Sequence, residues 1–433
     1  MKVGALWRGV CWVGGEKALT VAVRFVAGVI LARLLTPADY GVIGMMAVFI
    51  AVGETLMDGG MANAVINRAT AAGPRGAGGY YRAGFRYNFR MALAAEAAMA
   101  ILAWPLARFC GVGELLFALP AMGLSVVIGS LAMMQVARLT VEMRFAEQSL
   151  ANFLGTLGGG AVAIALALAG CGLWSLVAGA LAAAAVRTLA IWWMCAWRLV
   201  PATAADGDGR EGGQLRDLWR FGWRLTASYL LSAVHAKVHM MVIGWLYGKE
   251  PTGLMARGAS FSALPADMVV TAGLKVAYPL LMRRRADARR LCRGYFAAMA
   301  VAVAALWPAL ALLAYAAKPV VAFVVGEAWL GCVPYLRILC LAAAFEPLIH
   351  LMANVFYVSG RTDRVLKLDL VTKTVALAIL AVTLPRSLEA VAWGMAAAQA
   401  ITTVFYAVGF GRELEFCARS AGGRGSEKSG GGR

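Results

Sequence analysis

Long runs free of charge recur along this chain from its first residues to about residue 411, and they constrain the fold more than any motif does. Twelve can be placed, at about 10–34, 41–65, 82–108, 112–137, 149–170, 172–198, 219–247, 252–282, 291–316, 332–358, 364–384 and 387–411. Crossing a bilayer takes roughly 20 apolar residues. Several runs are longer, and tilt absorbs the excess. Lipid offers a backbone no hydrogen bonds, so runs of this kind must be helical. Composition agrees: 61% of the 433 residues are hydrophobic and the mean hydropathy is +0.72, whereas a soluble domain is nearer half apolar. The chain is predicted to be an all-α polytopic membrane protein with twelve transmembrane helices. The connections leave no room for a soluble catalytic domain, so no enzyme activity is expected. Glu16, Lys17 and Arg24 interrupt the first run and no small-residue cleavage site follows, so it reads as a permanent helix and not a leader.

Charge sets the orientation. Of the 41 Lys and Arg, 25 fall in segments on one side of the spans and 5 on the other. The basic side is the cytoplasm by the positive-inside rule, which puts both termini there. In a soluble chain a net charge of +18 would point to nucleic acid. Here the loop bias accounts for most of it, and no nucleic-acid partner is expected. The stretch 199–218, centred on ATAADGDGREGGQ, is polar and Gly-rich and reads as a flexible cytoplasmic linker. It divides the chain into two six-helix lobes, 1–198 and 219–412, and the tail 413–433 reads as disordered. A short internal repeat accompanies this division. LLTPADYGVIGMMAVF after the first span is matched by LYGKEPTGLMARGASF after the seventh, and repeated halves are the usual build of secondary transporters.

Smaller features read as structural. The eight cysteines form no C-x-x-C pair and mostly lie inside apolar runs, as buried free thiols do. Trp7, Trp12, Trp104, Trp174, Trp197, Trp219, Trp245, Trp307 and Trp393 fall near span ends, where interfacial aromatics belong. Gly155 and Gly159 form a G-x-x-x-G packing motif on the fifth span.

Charges inside the spans carry the functional signal, because each costs on the order of 2.5–3.5 kcal/mol at the bilayer centre by insertion scales. Arg86, Arg90, Arg224, Arg337 and Lys373 lie near span ends and can snorkel. Arg24, Arg187 and Lys237 lie nearest span midpoints. Either they pair with intramembrane acids or they line a cationic cavity for an anionic head group. Glu16, Thr20 and Arg24 recur at helical spacing, Lys17 shares a face with Arg24, and Gly28 extends that stripe, where it would let another backbone approach. Arg257 and Lys275 bracket Asp267 on the eighth span. They form either a ladder of positive groups at different depths or local pairs with that acid. Glu54 and Asp58 stand one turn apart, like charges that compete for a shared proton. They read either as a coupling site or as polar contacts within the N-terminal lobe. Glu16 and Asp267 are further coupling candidates, while Asp369 and Lys373 neutralise each other at i, i+4. His235 and His239 have a spacing zinc can use, but no third ligand is evident, so no metal is expected. No nucleotide motif is present, so an ion gradient or the membrane potential supplies the energy.

The stretch ARLLTPADYGVIGMMAVF, followed by DGGMANAVINR, resembles the first helix pair of the Wzx-type polysaccharide flippases, exporters of the multidrug/oligosaccharidyl-lipid/polysaccharide superfamily. The resemblance implies a MATE-like fold of two six-helix lobes around a central cavity that opens alternately to each side of the bacterial cytoplasmic membrane. The cargo it implies is an undecaprenyl-pyrophosphate-linked oligosaccharide moved to the outer leaflet, with no cofactor, beside glycosyltransferase and polysaccharide polymerase machinery. On that reading Arg24, Lys17, Lys237, Arg257, Lys275 and Arg187 are the candidates for binding the anionic cargo. The eighth span departs from the family pattern: it begins GLMARGASFSALP, where relatives more often have a Gly-Tyr start and fewer charges, and this leaves the cargo open. The alternative is a drug or metabolite cation antiporter of the same fold, for which an acidic cavity would be expected.

Overall fold

The structure is a computed structural model that describes residues 3–58, 60–195, 208–283, 288–358 and 362–427. Every regular element among them is helical. In order they are α1 (Val3–Leu34), α2 (Pro37–Asp58), α3 (Met61–Cys110), α4 (Leu115–Ser130), α5 (Met133–Val141), α6 (Phe145–Leu168), α7 (Leu173–Met194), α8 (Asp208–Tyr247), α9 (Lys249–Arg283), α10 (Ala288–Tyr315), α11 (Ala317–Val324), a 3-10 turn at Glu327–Cys332, α12 (Val333–Val358), α13 (Thr362–Thr383) and α14 (Leu388–Glu427). Nine segments among the described residues are long and apolar enough to cross a membrane, against the twelve expected. The long helices outside that set are α1, α9 and α13, which carry Arg24, Arg257 with Asp267, and Asp369 with Lys373.

Local chemistry explains the main turns. Thr36 caps α2: its backbone N–H donates to Asp39 Oδ2 at 3.0 Å, its hydroxyl donates to the same oxygen at 2.7 Å, and Pro37 opens the helix. This is a capping box with proline at the first helical position. Gly60, at φ 72, ends α2 just after Asp58, yet the apolar segment continues over Pro37–Ala71, so Asp58 stands inside a candidate span. At the far end of α3 the chain turns at Gly111, φ 67, where only glycine sits without strain. Two stretches predicted to be a flexible linker and a disordered tail are helical in part: α8 already begins at Asp208 and α14 continues to Glu427. Both are continuous with an apolar span, and extending a formed helix is far easier than nucleating one.

The chain divides into two compact units, Met1–Gly253 and Leu254–Arg433. That boundary falls one helix beyond the linker on which the sequence reading divides the lobes. In the first unit α2 packs against α3, α4 and α8. Met45, Met46, Ala92, Met99, Leu119 and Val177 form the core there. α6 and α7 pack backbone to backbone, because Gly155 lies on Ala183, and Gly159 lies on Gly179 and Ala183. In the second unit α12 packs on α10 and α14, around Tyr295, Met352, Phe356, Tyr406 and Phe410. Trp329, in the 3-10 turn, is completely buried. Large apolar side chains such as Ile101, Phe117, Leu168, Trp193, Leu312 and Phe323 point outward, as lipid-facing surface requires. Trp104, Trp174, Trp245, Trp307 and Trp393 are exposed toward helix ends, while Trp219 is exposed about three turns inside α8. Of the cysteines, Cys195, Cys332 and Cys340 are buried free thiols as predicted, whereas Cys171 is exposed at a turn.

Candidate functional site

Arg24 stands ten residues before the end of α1, about 15 Å along the helix. It is exposed, and it makes no hydrogen bond or ion pair with a described residue. Of the stripe expected around it, Thr20 and Gly28 are described. Thr20, one turn earlier, is buried. A methyl group at Gly28 would meet nothing within 4 Å, so no backbone approaches there. Helix α6 instead approaches one residue earlier, where Gly160 lies beside Ala27. The side chains of Glu16 and Lys17 lie outside the described residues.

Lys237 is exposed on α8, also ten residues from its helix end, with His235 and His239 near enough that their charges interact. Arg187 is different. It is partly buried on α7, its Cβ packs at Gly155, its Nε is closed off without a hydrogen-bond partner, and its charge faces Glu54 of α2. The charges of Arg187 and Glu54 thus act on each other without forming an ion pair at contact distance, and both readings of Arg187 remain open. Asp58 accepts the backbone N–H of Ala62 in the first turn of α3, a capping role. Glu96 meets no base among the described residues. Its carboxylate lies over Gly123 of α4, where a larger residue would collide with it.

In the second unit the Arg257 guanidinium lies 5.4 Å from the Phe261 ring centre and 5.3 Å from that of Trp329. Both distances are within cation–π range. The charge of Asp267 acts instead on Glu346 and His350 of α12. The Lys275 side chain lies outside the described residues. The pair Asp369–Lys373 forms as predicted, at 3.2 Å, and Tyr406 donates its hydroxyl to Asp369 Oδ1 at 2.6 Å.

Two groupings were not read from the sequence. The aromatic setting of Arg257 depends on Trp329, seventy-two positions away. The Glu346–His350 pair stands at i, i+4 in an apolar run, a spacing visible in the sequence itself. At the membrane edges, Arg138, Glu142, Arg144 and Glu147 form a charged network. Arg144 Nη2 donates to the Met194 carbonyl at 3.3 Å, tying the α5–α6 turn to α7. The Arg138 guanidinium, with help from Arg144, holds the Glu142 carboxyl below its ordinary range.

A model of the polysaccharide biosynthesis protein family matches residues 30–334. The chain belongs to that family. It is 23% identical to the succinoglycan biosynthesis transport protein ExoT of Rhizobium meliloti over 77% of this chain and 65% of that one. It thus spans slightly under two thirds of that relative. Among solved structures, the lipid II flippase MurJ in an inward closed conformation superposes with a TM-score of 0.76, at 13% identity over 94% of this chain and 90% of that one. An inward-facing multidrug MATE transporter of the MOP superfamily gives 0.70, at 16% identity over 92% and 96%. The fold of this family member is that of MOP-superfamily transporters.

Proposed function

We propose that this protein moves a lipid-linked saccharide, of the undecaprenyl-pyrophosphate class, from the inner to the outer leaflet of the bacterial cytoplasmic membrane for surface polysaccharide synthesis. Alternating access carries the cargo, and both termini stay in the cytoplasm. The observation that carries this reading is Arg24: an exposed guanidinium without a partner among the described residues, about 15 Å from the end of α1. Lipid would not tolerate it, so the group faces water or an anion, and a planar fork of donors suits a pyrophosphate. Lys237, exposed at a matching depth on α8, adds a second positive charge in the same unit. Family membership and the MOP fold support a transport role in polysaccharide assembly. Cargo-loading glycosyltransferases and a polymerase are the implied partners. A cation antiporter would present acids where these bases stand.

The test is reconstitution into liposomes with a polyprenyl-pyrophosphate-linked oligosaccharide labelled on its sugar, and time-resolved access of a lectin to the far leaflet. Transfer that depends on the protein is expected. Transfer of cationic drugs with none of the lipid-linked sugar would overturn the reading.

A further inference from the structure

We propose that the second unit holds a proton-binding site centred on Glu346 and His350, which loads and unloads a proton during each transport cycle. The two side chains stand one turn apart on α12, with His350 Nε2 3.9 Å from Glu346 Oε1. That separation is longer than a hydrogen bond, and the side chains are 50% and 33% exposed, so the pair is open to water and is not a locked ion pair. It lies within the membrane-crossing segment Glu327–Ala353, where exposed ionisable groups face a hydrated space and not lipid.

The surroundings set the chemistry. Asp267 of α9 acts electrostatically on both groups, and Asp369 of α13 acts on His350. Asp369 is itself held by Lys373 and by the Tyr406 hydroxyl of α14. α10 contributes Tyr295, fully buried against Phe410. Arg364 and Lys367 stand on the first turns of α13, within two turns of Asp369. Glu346 stands beside the imidazole, and the charges of Asp267 and Asp369 also act on it. A proton from water that lands on His350 Nε2 or Glu346 Oε1 is drawn by these acids, and its departure to water restores the starting state. Imidazole is the side chain whose ordinary titration lies at physiological pH. Among the described residues no group of three His, Cys, Asp or Glu is arranged to hold a metal ion. The chemistry of the site stands on its own geometry, and its place in a transport cycle rests on the function proposed above.

The chain has 3 histidines, His235, His239 and His350. Selective ¹⁵N-histidine labelling in lipid nanodiscs therefore gives three resonance sets, and His350→Gln identifies one. The His350 resonance should titrate between roughly pH 5 and 8, and its midpoint should move in Glu346→Gln and in Asp267→Asn. A resonance that does not titrate, or a midpoint unmoved in both variants, overturns the site. A midpoint that moves with sodium concentration at fixed ionic strength overturns the proton as occupant. This readout needs no cargo, so it stands or falls apart from the flippase reading. In proteoliposomes, stimulation of transfer by an imposed pH gradient should be lost in His350→Gln, or in Glu346→Gln if the first variant fails to fold. Undiminished stimulation in the folded variants overturns the coupling role.

Discussion

Gly41 and Gly253 lie against each other where α2 crosses the start of α9. Gly41 packs on the carbonyl of Lys249 and Gly253 on the carbonyl of Pro37. Pro37 and Lys249 each stand four residues before their own glycine, so the contact is reciprocal. These are equivalent positions of the two repeated turns LLTPADYG and LYGKEPTG. The repeat is thus a pair of matching surfaces that meet each other. The contact explains why the first compact unit ends at Gly253 and takes in the α8–α9 turn.

A methyl group at either glycine would overlap a backbone carbonyl, which no rotamer change relieves. Gly41→Ala and Gly253→Ala should each destabilise by about 1–3 kcal/mol, the usual range for overpacking. Both open the same crossing, so the double variant should lose less than the sum. Gly28→Ala is the control: nothing lies within 4 Å there, and alanine is favoured over glycine in a helix by roughly 0.5–1 kcal/mol. Thermal unfolding in detergent checks all four. A Gly41→Ala protein as stable as the parent would mean that the crossing is looser than described.

This contact also marks the limit of what the sequence discloses. Charge-free runs disclose that the chain is helical throughout, because lipid leaves the backbone no other choice, but not the number of spans: nine candidates stand among the described residues, against the twelve expected. The T-P-A-D break is legible because a cap is local. The G-x-x-x-G at Gly155 is legible as a packing motif, but its partner, Gly179, is not, since close approach names no second helix. The same holds for the charges. Lys373 finds Asp369 one turn away, a local pair. The Arg187 charge meets that of Glu54, and Arg257 meets the Trp329 ring, only through the fold.

The turn between α3 and α4 offers a pH test. Glu114 accepts a hydrogen bond from the Lys249 ammonium, and this holds its carboxyl below the ordinary range, with its own backbone N–H as a smaller cause. A carboxylate depressed in the folded state contributes stability above its unfolded value, about 4.3, and that contribution is lost as pH falls through the folded value. The pair is close to half exposed, so screening limits it to a few tenths of a kcal/mol. Lys249→Met should lower Tm slightly at pH 7. The difference from the parent should fade as pH falls through the folded value of Glu114, and also at about 1 M salt, where the Debye length is near 3 Å. A difference that persists at low pH would assign the effect to packing of the lysine stem.

Arg187 and Glu54 should behave as a unit. Arg187 is partly buried and Glu54 is exposed, so removing one should cost less than the about 3–5 kcal/mol of a fully buried pair. Arg187→Met should therefore reduce protein abundance in the membrane, and adding Glu54→Gln should restore much of it. Failure of the double variant to recover would indicate that Arg187 answers to some other group. Full abundance of Arg187→Met with loss of transport would return it to the cargo-binding set.

Arg24 should give the opposite pattern. It has no described acid to leave behind, so Arg24→Ala should accumulate in the membrane at the parental level with parental Tm. If its guanidinium grips a pyrophosphate, the same variant should lose transport. Arg24→Lys should retain only part, because an ammonium keeps the charge but not the planar fork. The contrast with Arg187 makes the pair of experiments decisive: one residue should fail in abundance, the other in transport at equal abundance. Complementation of surface polysaccharide, normalised to protein in the membrane, measures both. Parental polysaccharide from Arg24→Ala would remove Arg24 from the cargo path, and with it the observation on which the proposed function rests.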